Sequence, residues 1–233
     1  MRIIAGRFRR RKLMANPGLT TRPITDYVKE TLFGRLEDEL PGKKIADIFA
    51  GTGTIGIEAL SRGAASVVFI EKDATAFDLL KRNVAMLGAE SECLCWKTDI
   101  FRCSFRPKGD GPRFLPFDWI FFDPPFEMID DLKPGSELFR VLRQLSRDDI
   151  SAPDARLVLR TPARIEFQVP PAWELEKHWP FSRMEVFVYR KKLSEPHAAA
   201  LADESELADD SEQSPLSSDS DQTDTPNEAT ATE

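Results

Sequence analysis

Apolar positions recur at two spacings along this chain, one near four residues and one of short unbroken runs. In TDYVKETLFGRLEDELPG (25–42), Val28, Leu32, Leu36 and Leu40 fall on one face, which predicts a helix. Thr25 suits its N-cap, Asp26 favours the positive helix end, and Pro41-Gly42 stops it. The runs KIADIFA (44–50), SVVFIE (66–71), SECLCWKTD (91–99) and FDWIFFD (117–123) predict strands. The fourth is almost wholly apolar, as expected of a strand covered on both faces. Helices are predicted between these runs. One follows a glycine-rich turn and continues to about Arg62, with Gly63 as its stop. Another is capped by Asp73, shows an apolar face of Phe77, Leu80, Val84 and Leu87, and ends at Gly88. Residues 102–117 read as a loop. A helix around GSELFRVLRQLS and strands at ARLVLRT and RMEVFVYRK complete the pattern.

Strands alternating with helices predict an α/β fold, a mostly parallel sheet with helices on both faces. Right-handed crossovers then bring the strand C-ends to one rim, where ligands bind. That rim is expected to carry residues 49–53, Glu71, Asp99 and Asp123 together.

Charge divides the chain into three. The formal net charge is −7, yet residues 193–233 hold 12 acids and no Lys or Arg, so residues 1–192 carry 27 acids against 32 bases. The first 12 residues contain six bases and no acid. The expected organisation is a basic arm (1–24), a folded domain (25–192) and a disordered acidic tail (193–233) with too few large apolar residues to form a core. Such an arm suits a phosphate backbone. No run approaches the roughly 18–20 apolar residues of a membrane span, and the opening MRIIAGRFRRRKL lacks a signal peptide's apolar segment. A soluble cytoplasmic monomer is expected. Cys93, Cys95 and Cys103 form no C-x-x-C pair and only two histidines exist, so no metal site is expected.

DIFAGTGTIGIEAL places Gly51, Gly53 and Gly56 as G-x-G-x-x-G between a strand and a helix, with Glu71 ending the next strand. This is the pattern of a ribose-bearing cofactor, whose hydroxyls an acid accepts. Asp47, in the first strand, would be unhelpful beside a pyrophosphate, whereas an amino-acid cofactor brings an ammonium group. S-adenosylmethionine fits: its methionine end near Ala50 and Gly51, its ribose on Glu71 beside Lys72, its adenine near Asp99 and Ile100.

DWIFFDPPFE ends an apolar strand on Asp123, two prolines and Phe126. Proline stops a sheet ladder. The same residues could also hold a base: Asp123 and the Pro124 carbonyl accept both N–H bonds of an exocyclic amine, while Phe126 stacks on its ring. The amine lone pair is then aimed at a methylsulfonium, with positioning and charge carrying the step.

Asp123-Pro124-Pro125-Phe126 resembles the (Asp/Asn)-Pro-Pro-(aromatic) motif of amino-methyltransferases acting on nucleic-acid bases. With MRIIAGRFRRRKL, TRPITDYVKETLF, DIFAGTGTIGIEALSRGA and FIEKD, residues 1–190 are similar to the bacterial 16S rRNA guanine-N2 methyltransferase family, the RsmD type. The resemblance implies a seven-stranded, Rossmann-like class I S-adenosylmethionine-dependent methyltransferase fold. It implies 16S rRNA as substrate, within a 30S subunit or an assembly intermediate. Gly51 and Gly53 would form the cofactor turn, Glu71 would hold the ribose, and Asp99 would face the adenine. Arg2, Arg7, Arg9, Arg10, Arg11 and Lys12 would grip phosphates, with Arg22 and Thr25 near the mouth of the site. A long 102–117 loop, the acidic stretch after Phe126 and the acidic tail depart from the family's pattern. Other readings are an adenine-N6 methyltransferase of DNA or RNA, a nicotinamide oxidoreductase and a non-catalytic RNA-binding protein. The oxidoreductase would leave Asp123 to Phe126 and the basic arm unexplained.

Overall fold

Side-chain alternation along the strands builds two apolar layers. In β2 (Ser66–Glu71), Val67 and Phe69 enter one layer and Val68 and Ile70 the other. β4 (Phe117–Phe122) divides the same way, Trp119 and Phe121 against Ile120 and Phe122. Period-two alternation thus makes both sheet faces apolar, and each must be covered.

The computed structural model of the chain describes residues 1–15 and 25–193. Arg22 and the expected acidic tail from residue 194 onward lie outside the described residues. The remaining strands are β1 (Lys44–Ile48), β3 (Cys93–Lys97), β5 (Ser151–Pro162), β6 (Trp173–Pro180) and β7 (Met184–Lys191). They form one sheet in the order β3-β2-β1-β4-β5-β7-β6. The first five in that order are parallel, and β7 runs antiparallel between β5 and β6. Helices α1 (Asp26–Arg35), α2 (Thr54–Ser61) and α3 (Ala74–Leu87) supply Val28, Ile57 and Leu80 to the first layer. Helices α4 (Phe126–Ile129) and α5 (Glu137–Leu145) supply Ile129, Leu138 and Val141 to the second. The expected α/β architecture is therefore present, with seven strands as the family resemblance implied.

Two local expectations change. The first helix stops at Arg35 rather than running to Pro41, and a short 3-10 turn follows at Glu37–Glu39. Three successive acids there would sit at the negative end of a continued helix. Leu36 and Leu40 are buried all the same. β6 was not legible as a strand: WELEKHWP buries Trp173 and leaves most of its length exposed, the charged pattern of a sheet edge. The expected 102–117 loop is present, with a short 3-10 turn at Gly111–Phe114, and Cys103, Phe105 and Phe114 anchor it in the second layer.

The N-terminal arm folds back on itself. Arg2 and Lys12 pair antiparallel, and Ile3 and Leu13 are buried in the first layer. Glu58 of α2, itself wholly buried, accepts the backbone N–H groups of Ile4 (2.9 Å) and Ala5 (3.1 Å). Lys29 from α1 and Arg62 neutralise it at 3.3 and 3.1 Å. Lys29 Nζ also donates to the Arg2 carbonyl at 2.5 Å. Burial lowers the Lys29 pKa, and Glu58 opposes that shift. Gly6 is held at φ +78 against Ser61, where a Cβ would lie 1.8 Å from the Ser61 carbonyl oxygen.

Glu58→Ala removes one partner of a buried pair and is expected to cost about 3–5 kcal/mol of stability. Urea denaturation measures the loss, and hydrogen exchange at the Ile4 and Ala5 amides is expected to rise with it.

Candidate active site

An open cleft of about 1370 Å³ lies at the C-terminal rim of the parallel strands. Ligand pockets are commonly about 300–1,000 Å³, so there is room for a cofactor and a second group. The end of β1, the turn after it, Glu71, the residues after β4 and the β6–β7 turn line it.

The turn after β1 is built by conformation and by close packing. Phe49 and Gly51 adopt positive φ, +64 and +55. Phe49 is a non-glycine residue in a sparsely populated region, held edge-on against Phe122 at 5.5 Å. A Cβ at Gly51 would meet nothing within 4 Å and would project into open space. Gly53 and Gly56 serve packing instead: a Cβ on either would come within 2.4 Å of Leu80 or Phe69. Of the two glycines expected to touch a cofactor, only Gly51 lines the cleft.

Five carboxylates line the cleft; besides Asp73 and Glu127, the three carried by β1, β2 and the end of β4 are each served differently. Asp47 lies under α2 and accepts the Gly56 N–H at 2.8 Å, capping a helix whose own N-cap is a glycine. Burial, with Asp123 and Glu71 adding repulsion, pushes Asp47 up to about 8 although the Gly56 hydrogen bond opposes it. Glu71 accepts Gly51 N–H at 2.7 Å on Oε2, and Lys72 and Asp73 N–H at 2.8 and 2.7 Å on Oε1. One Oε2 lone pair stays open for a hydroxyl donor. Asp123 follows β4 and is gripped by Arg160 of β5, with Nε to Oδ1 at 2.6 Å and Nη2 to Oδ2 at 2.8 Å.

Pro124, Pro125 and Phe126 line the same cleft, Phe126 opening α4. Ala50 lines it too. Thr25 caps α1 by accepting the Val28 N–H at 3.3 Å and also stands at the cleft wall. Asp99 and Ile100 do not line it. Asp99 caps the short turn after β3 and pairs with the exposed Lys72 at 2.7 Å. That hydrogen bond holds its carboxyl below the usual range. Ile100 is buried in the second layer.

Of the arm's cations, Arg2 pairs with Asp26 and Arg7 with Glu92. Arg9, Arg10, Arg11 and Lys12 are exposed and make no ion pair among the described residues. Arg160, Tyr27, Phe181 and Arg183 were not expected at the site yet line it. Arg160 left one signal in the sequence: with Arg156 it is one of two cations flanking Val158 on the same strand face of the otherwise apolar run ARLVLRT.

The donor set fits S-adenosylmethionine. Gly51 leaves open space where a side chain would stand, Glu71 keeps an acceptor, and the carboxylates suit a cationic ligand. No group of three or more His, Cys, Asp or Glu is placed to hold a metal among the described residues. Nor is any described helix long and apolar enough to cross a membrane.

A family model described as "Conserved hypothetical protein 95" matches residues 1–190. Ribosomal RNA small subunit methyltransferase D of Haemophilus influenzae is 41% identical over 127 residues, 54% of this chain and 64% of that protein. The protein of that name from Escherichia coli is 39% identical over 128 residues, 54% of this chain and 60% of its own length. The chain thus spans less than two thirds of either curated relative. A solved structure of yhhF, a candidate methyltransferase from Escherichia coli, superposes with a TM-score of 0.68 at 30% identity. It covers 83% of this chain and 99% of that one.

Asp47 keeps a proton when folded that the unfolded chain releases above its ordinary value of 3.8. Its stabilising contribution is full below about pH 4, declines as pH rises towards 8, and is lost above that. Asp47→Asn keeps an acceptor for Gly56 and removes the titration. Urea midpoints across this window are expected to fall with pH more steeply for wild type than for Asp47→Asn.

Proposed function

Because the chain belongs to the family described as "Conserved hypothetical protein 95" and carries a class I methyltransferase fold, we propose that it methylates the exocyclic N2 amine of a guanine in small-subunit rRNA. The observation that carries this reading is the position of Asp123, Pro124 and Phe126. They share one cleft with the Gly51 turn and Glu71, although they are distant in sequence.

When bound, S-adenosylmethionine supplies the methyl group and leaves as the neutral thioether. Gly51 admits it close to the backbone, and Glu71 takes a ribose hydroxyl. Phe126 stacks on the base, a contact worth on the order of 1–3 kcal/mol. Asp123 and the Pro124 carbonyl hold the amine hydrogens, which frees the nitrogen lone pair for in-line attack. As positive charge develops on that nitrogen, the Asp123 carboxylate stabilises it and receives the released proton. The base must be flipped out of its stack to reach this cleft.

Arg9, Arg10, Arg11 and Lys12 extend the surface available to phosphates. The substrate is rRNA within a 30S subunit or an assembly intermediate, met in the cytoplasm by a monomer that uses no metal.

Methyl transfer from labelled S-adenosylmethionine to 30S particles lacking the modification is expected to yield N2-methylguanosine. Asp123→Ala is expected to lower the rate by about 10²–10³-fold. N6-methyladenosine as the product would overturn the base assignment. No transfer to subunits, naked rRNA or DNA would overturn the enzyme reading. Replacing Arg9, Arg10, Arg11 and Lys12 by Gln is expected to weaken RNA binding and flatten its log–log salt slope by about 0.7–0.9 per lost phosphate contact.

A further inference from the structure

The Asp123–Arg160 pair is unlike the surface ion pairs of this chain. Its side chains are only 15% and 12% exposed, and Leu32, Ile55, Val158 and Val186 back it with apolar surface. The guanidinium makes a two-pronged contact, Nε to one carboxylate oxygen at 2.6 Å and Nη2 to the other at 2.8 Å. Its Cζ also stands 5.2 Å from the centre of the Phe126 ring. A planar group with two parallel N–H donors therefore occupies both features assigned to the substrate base: the carboxylate and the aromatic face.

Guanine presents the same edge. Its N1–H and N2–H are adjacent, nearly parallel donors on a flat ring, and a carboxylate accepts both as it accepts an arginine fork. Adenine sets the N6 donor beside the N1 acceptor, which would face the second carboxylate oxygen without a hydrogen. We propose that Arg160 is a built-in stand-in for the guanine edge. It holds the seat on Asp123 and the Phe126 face until a guanine, which supplies both donors, displaces it. This rests on the guanine-N2 reading of the cleft.

Electrostatics support an occupant that can be exchanged. Asp123 shares the cleft with Asp47 and Glu71, so a carboxylate left without a donor there is costly. Arg160 serves it when the base is absent. A base that supplies both donors replaces the hydrogen bonds, and a cationic cofactor in the same cleft replaces the charge. A base that supplies one donor leaves a carboxylate oxygen unserved. The cost of the occupant is affinity: only the fraction of molecules with the seat vacant binds substrate, and apparent affinity falls by that fraction.

The test compares wild type with Arg160→Ala and Arg160→Met, the second retaining an apolar stem beside Met184 and Phe126. Binding of 5′-GMP and 5′-AMP is measured by calorimetry with sinefungin present, an analogue that carries an ammonium in place of the sulfonium and transfers no methyl group. Both variants are expected to bind GMP more tightly, on the order of tenfold if one molecule in ten has a vacant seat, and to bind AMP more tightly by no more than that factor. Millimolar guanidinium is expected to reverse the gain in the variants and to leave wild type unaffected. Methylammonium at equal ionic strength is expected to do neither. Weaker or unchanged GMP binding, or guanidinium that restores binding rather than opposing it, would overturn the stand-in and make Arg160 a support for Asp123. Methyl transfer is read separately. Wild-type transfer to guanine without the GMP gain sinks this inference alone. The GMP gain without transfer by any form sinks the enzyme reading and leaves the stand-in intact.

Discussion

A buried carboxylate, Glu58, holds three parts of this molecule in register. It sits in the middle of α2, wholly removed from solvent. It meets the arm through the Ile4 and Ala5 amides, α1 through Lys29, and the end of its own helix through Arg62. A charge in that position is tolerated only when every acceptor is filled and a cation stands nearby. The arrangement is therefore costly to break at its centre: loss of Glu58 takes away the shared partner of both cations and both amides. Because α2 begins at the turn that lines the cleft, the arm is fastened to the same helix that positions the site.

The cleft applies a related rule with different partners. Glu71 is served by three backbone amides, Asp47 by one amide and by retaining a proton, and Asp123 by a guanidinium. Three acids at one rim would repel one another if all were bare. Each is instead held in a distinct state, and they keep different capacities for a ligand. Glu71 has an acceptor to spare, Asp47 supports the helix, and Asp123 has a partner that another planar donor pair can match.

The fold was legible wherever periodicity and punctuation agreed. The four strands read from apolar runs and the helix from Asp73 to Gly88 occur with ends displaced by a few residues at most. Asp73 and Gly88 were identifiable because a cap and a left-handed stop are local chemistry. β6 was not, since an edge strand pairs on one side only and need not be apolar. The site was legible in part for the same reason. Gly51, Glu71 and Asp123 follow strands, and strand ends converge in a parallel sheet. Gly53 matched a motif by spacing, but its role is set by Leu80, a neighbour that spacing does not reveal. Asp99 was expected to meet an adenine, but Lys72 takes its carboxylate. Arg160 stands on the strand next to Asp123, and that adjacency exists only once β4 and β5 are paired.

The docked arm has a geometric consequence. Ile3 and Leu13 are sunk in the core at either end of its fold-back, and Gly6 is seated against Ser61 with no room for a methyl group. The exposed cations between these anchors cannot wander as a tether would. They stand at set distances from Asp123, on a backbone that moves with α2. Any anion those cations bind is thus held at a fixed spacing from the cleft, as if by a rigid ruler.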